Sequence, residues 1–69
     1  MKINPRQITF AREYRGMSQT ELAAKVSGLS QSNLSKFEKG IGTLSDKVIE
    51  RVMEVLGFPP GFFSLSISN

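Results

Sequence analysis

Cysteine and histidine are both absent from this chain of 69 residues. No disulfide can form without cysteine, and the common zinc sites cannot be built without either residue. The same absences remove the thiol and imidazole nucleophile systems. A glycine-rich phosphate loop is also missing, because the Gly40-x-Gly42 pair is too short to make one. The chain is therefore expected to be no enzyme and to need no cofactor or metal. No apolar run approaches the roughly 18 residues of a membrane span. No basic start followed by an apolar stretch and a small-residue site marks a secretory signal. A cytoplasmic location with no membrane partner is the default expectation.

What is present suffices for one small domain. A chain of this size buries only about 60% of the surface its unfolded form exposes. Without a covalent staple, stability must come from regular helix packing, from a partner, or from a further part of the protein. Hydrophobic residues make up 39% of the chain, with five Phe and one Tyr, which is too rich for a disordered tail. The formal charge of +3 leans mildly toward anionic partners, and where the charges sit matters more than their sum.

Start and stop signals divide the chain into helices. Asn4-Pro5 is a helix start, with Asn as cap and Pro at the first helical position. That helix is predicted to run to about Arg15, where Gly16 stops it, with Ile8, Ala11 and Arg15 on one side. Ser18 and Glu21 have capping-box spacing, and Leu22, Ala23 and Val26 form the inner face of the second helix. Ser27-Gly28-Leu29 reads as a tight turn with Leu29 as its apolar plug. Ser30 caps a third helix reaching about Lys39, before Gly40, with Leu34 and Phe37 inward. Ser45 caps a fourth helix, Asp46 to Leu56, ended by Gly57. On this last helix Val48, Ile49, Val52, Met53, Val55 and Leu56 fill one arc, and the charged residues fill the other. Phe58-Pro59-Pro60-Gly61-Phe62-Phe63 reads as a bend and one helical turn whose aromatics close the core. The fold class is all-α, a compact bundle of four helices plus a short fifth helical turn. Residues 1–63 form the domain, and 64–69, carrying Leu65 and Ile67, form a tail, short strand or linker.

The third helix carries the functional signal. Its outward arc holds Gln31, Ser32, Ser35, Lys36 and Lys39, with no carboxylate and no large apolar side chain. Amides and hydroxyls that both donate and accept, flanked by cations, suit the DNA major groove. Gln pairs bidentately with adenine, Ser bonds several base edges, and Lys reaches guanine. The bland alternative is a merely solvated polar face. The preceding capped helix and glycine turn weigh against it, since two helices joined this way form a helix-turn-helix.

The stretch "AREYRGMSQTELAAKVSGLSQSNLSKFEKG" resembles the phage-repressor and Cro-like helix-turn-helix family, often called the XRE family. The pattern comprises Arg12, Gly16, Ser18-Gln19, Glu21-Leu22-Ala23, then Ser30 to Glu38 and Gly40, and the likeness covers about residues 5 to 63. It implies a lambda-repressor-like fold and sequence-specific binding of double-stranded DNA by a prokaryotic or phage transcription regulator, most often a repressor. It further implies a homodimer on a pseudo-palindromic operator, joined through this domain or a C-terminal one. By position it implies base contacts from Gln31, Ser32 and Lys36, with Asn33 and Ser35 as lesser candidates. Phosphate contacts are implied for Ser18, Gln19, Lys39 and Lys47, and Gln19 also braces the first reading residue. Arg12 and Glu38, which could be mistaken for a catalytic pair, match a partly buried structural ion pair.

The turn "VSGLSQ" is one residue longer than usual for the family, which is expected to tilt the third helix, and Lys39 replaces a frequent Asn. Longer regulators of this kind continue beyond such a module, some into a metallopeptidase-like sensor domain. Phe10 and Tyr14, one turn apart, are expected either to pack on the C-terminal tail or to form a patch for a second subunit or domain. Such a patch would serve the alternative function, an oligomerisation or antitoxin module on a helix-turn-helix scaffold.

Overall fold

A computed structural model describes residues 2–65; Ile67 and the rest of 66–69 lie outside the described residues. The chain forms α1 (Pro5–Tyr14), α2 (Gln19–Ala24), α3 (Gln31–Glu38), α4 (Asp46–Leu56) and a closing 3-10 turn (Pro60–Ser64), with no strand among the described residues. The all-α architecture of four helices and a fifth turn is thus the observed one. The closing turn extends to Ser64, one residue into the stretch read as tail.

Each helix begins where a side chain can satisfy its free N–H groups. Ser18 Oγ accepts from the Glu21 amide at 3.1 Å while Glu21 Oε1 accepts from the Ser18 amide at 2.8 Å, completing the capping box of α2. The Glu21 carboxyl is held below its ordinary pKa chiefly by the Ser18 backbone bond. Ser30 and Ser45 accept from the amides of Asn33 and Val48 at 3.1 and 3.3 Å. α2 ends at Ala24, so Val26 belongs to the turn and not to the helix, yet it remains buried beside Leu22 and Ala23. The long turn that follows rests on α4: a Cβ added at Gly28 would meet Val48 Cγ2 at 3.6 Å. Gly28 has φ +85°, a conformation side-chain-bearing residues rarely adopt, and it lets Leu29 turn down into the core.

The core gathers Ile8 and Ala11 from α1, Leu22 and Ala23 from α2, Leu34 and Phe37 from α3, and Ile49, Val52 and Leu56 from α4. Phe63, wholly buried, closes it from below. Met17 and Met53 are half-buried against its margin.

The two ends of the domain are tied together. Asn4 caps α1 through its Oδ1, which accepts from the Arg6 amide at 3.1 Å. Its Nδ2 donates to the Leu65 carbonyl at 2.8 Å, and its backbone amide donates to the Phe63 carbonyl at 2.8 Å. Gln7, a buried polar residue that no sequence pattern singled out, donates from Nε2 to the Phe62 carbonyl at 3.0 Å. Arg15 does not join Ile8 and Ala11 in the core. Its Nε donates to the Leu56 carbonyl at 2.7 Å, satisfying the C-terminus of α4, and its guanidinium lies 4.8 Å from the Phe58 ring centre. Phe10 and Tyr14 stack on each other at 6.5 Å and pack on the closing turn, Phe10 against Phe62 at 5.9 Å and Tyr14 edge-on to Phe58 at 5.6 Å. Both keep more than half their surface in solvent.

Across the domain, Arg12 Nε and Nη2 donate to Glu38 Oε2 and Oε1 at 2.8 and 3.0 Å, while Arg12 Nη1 donates to the Met17 carbonyl at 2.8 Å. The two side chains are only 9% and 5% exposed. Burial alone would push the Glu38 carboxyl up. Hydrogen bonds from Arg12, Gln19 and Thr9, together with the Arg12 charge, outweigh burial and hold the carboxyl below the ordinary carboxylate range. The bond to Glu38 likewise raises the Arg12 guanidinium.

Two outcomes follow for stability. Phe63→Ala should cost about 3–5 kcal/mol in urea unfolding, through lost transfer energy and the cavity left under α1 and α4; a cost below about 1 kcal/mol would show that the closing turn is not part of the core. Arg12→Met should cost about 3 kcal/mol near neutral pH, because it strands the Glu38 carboxylate. The wild-type pair's contribution is complete above the ordinary Glu value of 4.5 and fades as pH falls through the lower folded value. In the variant the buried carboxyl moves up and protonates early, so the stability gap between the two proteins should narrow on acidification. A gap that stays constant from about pH 7 to about pH 3 is the contrary result.

Candidate nucleic-acid interface

The surface of α3 follows from the placement of two apolar residues. Leu34 and Phe37 are buried, which turns Gln31, Ser32, Asn33, Lys36 and Lys39 to solvent and leaves Ser35 half-buried. The single carboxylate of the helix, Glu38, is folded back to Arg12 on α1. The outward face therefore carries amides, hydroxyls and two cations with no acid among them, and it is open. Among the described residues no carboxylate pairs with Lys36 or Lys39. Both lysines lie in or just past the last turn of α3, where the helix dipole favours positive charge.

The loop after α3 hugs the helix. The Ile41 amide donates to the Lys36 carbonyl at 3.1 Å. A Cβ at Gly42 would sit 3.0 Å from Lys36 Cβ, tighter than ordinary packing allows. Gly42 thus has a packing role, letting the loop lie against α3, while Gly40 at φ +80° serves the turn that leaves the helix. The same loop leaves Ile41 73% exposed beside the lysines, an apolar group at the edge of this face that sequence reasoning did not single out.

The structure brings Gln19 and Gln31 together. Gln31 Nε2 donates to Gln19 Oε1 at 2.8 Å, and Gln19 Nε2 donates to Glu38 Oε1 at 3.0 Å. A continuous chain of polar contacts thus runs from Arg12 through Glu38 and Gln19 to the first residue of α3. The link from Glu38 to Gln19 was not read from the sequence. The nearest signal was the family pattern, which places an amide at 19 and a carboxylate at 38 without showing that they meet. Ser18, exposed, uses its hydroxyl as the cap of α2. Lys47 stands apart from the others, exposed in the first turn of α4.

No helix among the described residues is long and apolar enough to cross a membrane. The chain gave no match among curated proteins or among solved structures. A family model described as helix-turn-helix matches residues 8–63, which runs from within α1 to Phe63 of the closing turn. The chain belongs to the helix-turn-helix family of XRE type, the DNA-binding domains of transcription regulators.

Proposed function

We propose that the domain binds specific sites on double-stranded DNA, with α3 laid in the major groove, and that the protein acts as a cytoplasmic repressor. The observation that carries this reading is the acid-free, solvent-open face of α3. Gln31, Ser32 and Lys36 are the base readers, with Asn33 and Ser35 beside them. Ser18, Gln19, Lys39 and Lys47 hold phosphates. The division follows from chemistry. Short polar groups near the start of α3 offer paired donors and acceptors to base edges. Lys36, one turn on, reaches a guanine edge, and Lys39 at the far end, with no pairing carboxylate among the described residues, suits the backbone.

One α3 covers only a few base pairs, so two copies on a pseudo-palindromic operator, about one helical turn apart, supply the affinity a regulator needs. Presenting the face to a groove needs little further ordering, because capping and the polar chain through Gln19 already fix the start of α3.

Selection from random duplex DNA should enrich one sequence for the wild-type protein. The double variant Gln31→Ala, Lys36→Ala should lose that enrichment at two or more positions. Lys39→Gln should instead weaken binding to all sequences alike and flatten the dependence of log affinity on log salt by about 0.9 for each copy bound. If no sequence is enriched and the double variant binds as tightly as wild type, α3 is not the reading helix. A tight protein partner with no DNA binding at low salt would move the assignment to the oligomerisation or antitoxin reading.

A further inference from the structure

The polar chain behind α3 has a direction, and the direction follows from one group. Ionised Glu38 can only accept hydrogen bonds. Its Oε1 already receives Arg12 Nη2 at 3.0 Å, and the next group it meets, the Gln19 amide, stands 3.0 Å away. Turned the other way, Gln19 would set an oxygen against a carboxylate oxygen at that distance with no proton between them. Gln19 must therefore aim Nε2 at Glu38, which aims its Oε1 at Gln31. Gln31 in turn must give Gln19 one of its two Nε2 protons, across 2.8 Å. What remains outward on Gln31 is one free acceptor, Oε1, and one free donor, the second Nε2 proton.

We infer that Glu38 is a specificity-determining residue that never touches DNA: through Gln19 it fixes the Gln31 amide to present one donor and one acceptor, the complement of adenine and not of guanine. Adenine offers N7 as acceptor and N6 as donor in the major groove, whereas guanine offers two acceptors, N7 and O6. An unbraced glutamine can turn both Nε2 protons outward and satisfy guanine. A braced one has a single proton to give. This inference rests on α3 being the reading helix with Gln31 as a base reader, and what it adds is the residue that fixes the sense of the Gln31 amide.

The anchored end is the rigid end. The Glu38 side chain is only 5% exposed and is gripped by Arg12 through two bonds, while the Gln31 end is exposed. The polarity is therefore set inside the protein and delivered at its surface. Glu38→Gln breaks the rule, since an amide at 38 can show Gln19 either an oxygen or an N–H. Gln19→Leu breaks it differently, by disconnecting Gln31 while leaving the Arg12–Glu38 pair whole.

The test is selection from random duplex DNA with four proteins: wild type, Gln31→Ala, Gln19→Leu and Glu38→Gln, with a urea melt on each. One position of the enriched site should lose its preference in Gln31→Ala, and in wild type that position should be an A·T pair, favoured over G·C by about tenfold. In Gln19→Leu and Glu38→Gln this preference should shrink to about twofold or less, with the other positions keeping their order. A purely structural role for Glu38 would lower binding to all sites together and leave the adenine preference intact, which overturns the inference. So does a Gln31-dependent position that selects another base, or the absence of any such position in an enriched site; in both cases DNA reading by α3 stands. If wild type enriches nothing, the reading assignment itself falls. Should Glu38→Gln fail to fold, the double variant Arg12→Met, Glu38→Leu decides, because an apolar pair can match the packing while Gln19 keeps Gln31 and loses only the carboxylate; an adenine preference as strong as wild type there overturns the inference.

Discussion

The pairing of Arg12 with Glu38 carries more of this molecule than its two hydrogen bonds suggest. A carboxylate in the last turn of a helix sits at the unfavourable end of the dipole. On the outward face of a helix proposed to meet DNA it would also oppose phosphate. Both penalties disappear when the side chain is folded inward onto a guanidinium that is itself tied to the Met17 carbonyl. One contact thereby joins α1 to α3, fixes the chain's exit from α1, and clears acid from the outward face. A hydrophobic pair in its place could match the packing. It could not order the amides of Gln19 and Gln31 that lie beyond.

Small size explains the second constraint. With no disulfide and no metal-binding cysteine or histidine, the fold must close itself, and it does so by binding its end to its beginning. Asn4 serves as helix cap and as clamp at once, and Gln7 adds a second bond to the closing turn. Phe63 fills the space those bonds enclose. The aromatics outside it form a tilted ladder, in which Phe58 and Phe62 lie 4.6 Å apart and Phe10 and Tyr14 continue the contact toward solvent. The stacking on the closing turn and the open outer faces of Phe10 and Tyr14 coexist, because two rings one turn apart on α1 can cover the turn only with their inner sides.

Helix boundaries were legible in the sequence because each is written in local chemistry. Ser18 with Glu21, Ser30, Ser45 and Gly57 act on neighbours a few residues away, so their spacing alone announces them. The inward residues of α4 were legible through their period. The roles of Gln7 and Arg15 were not. Each is polar, each reaches a backbone carbonyl forty or more positions along the chain, and nothing nearby in sequence marks the partner. Val26 was assigned to the right side of the chain and the wrong element. The hydrophobic pattern registers burial, whereas the end of α2 depends on the long turn's need to reach α4 through Gly28.

The candidate site divides along the same line. Which side chains of α3 face outward follows from Leu34 and Phe37 and could be read from a helical wheel. How those side chains are oriented could not. Orientation of an amide is decided by the last group in its chain of hydrogen bonds that has no choice of role, and here that group lies on the inner side of the helix, against a residue of α1. A wheel drawn on α3 places Glu38 among the non-contacting positions and stops there. In three dimensions it is the fixed terminus from which Gln19, then Gln31, take their sense. What the outward face of α3 presents is thus partly determined by a residue that faces away from it.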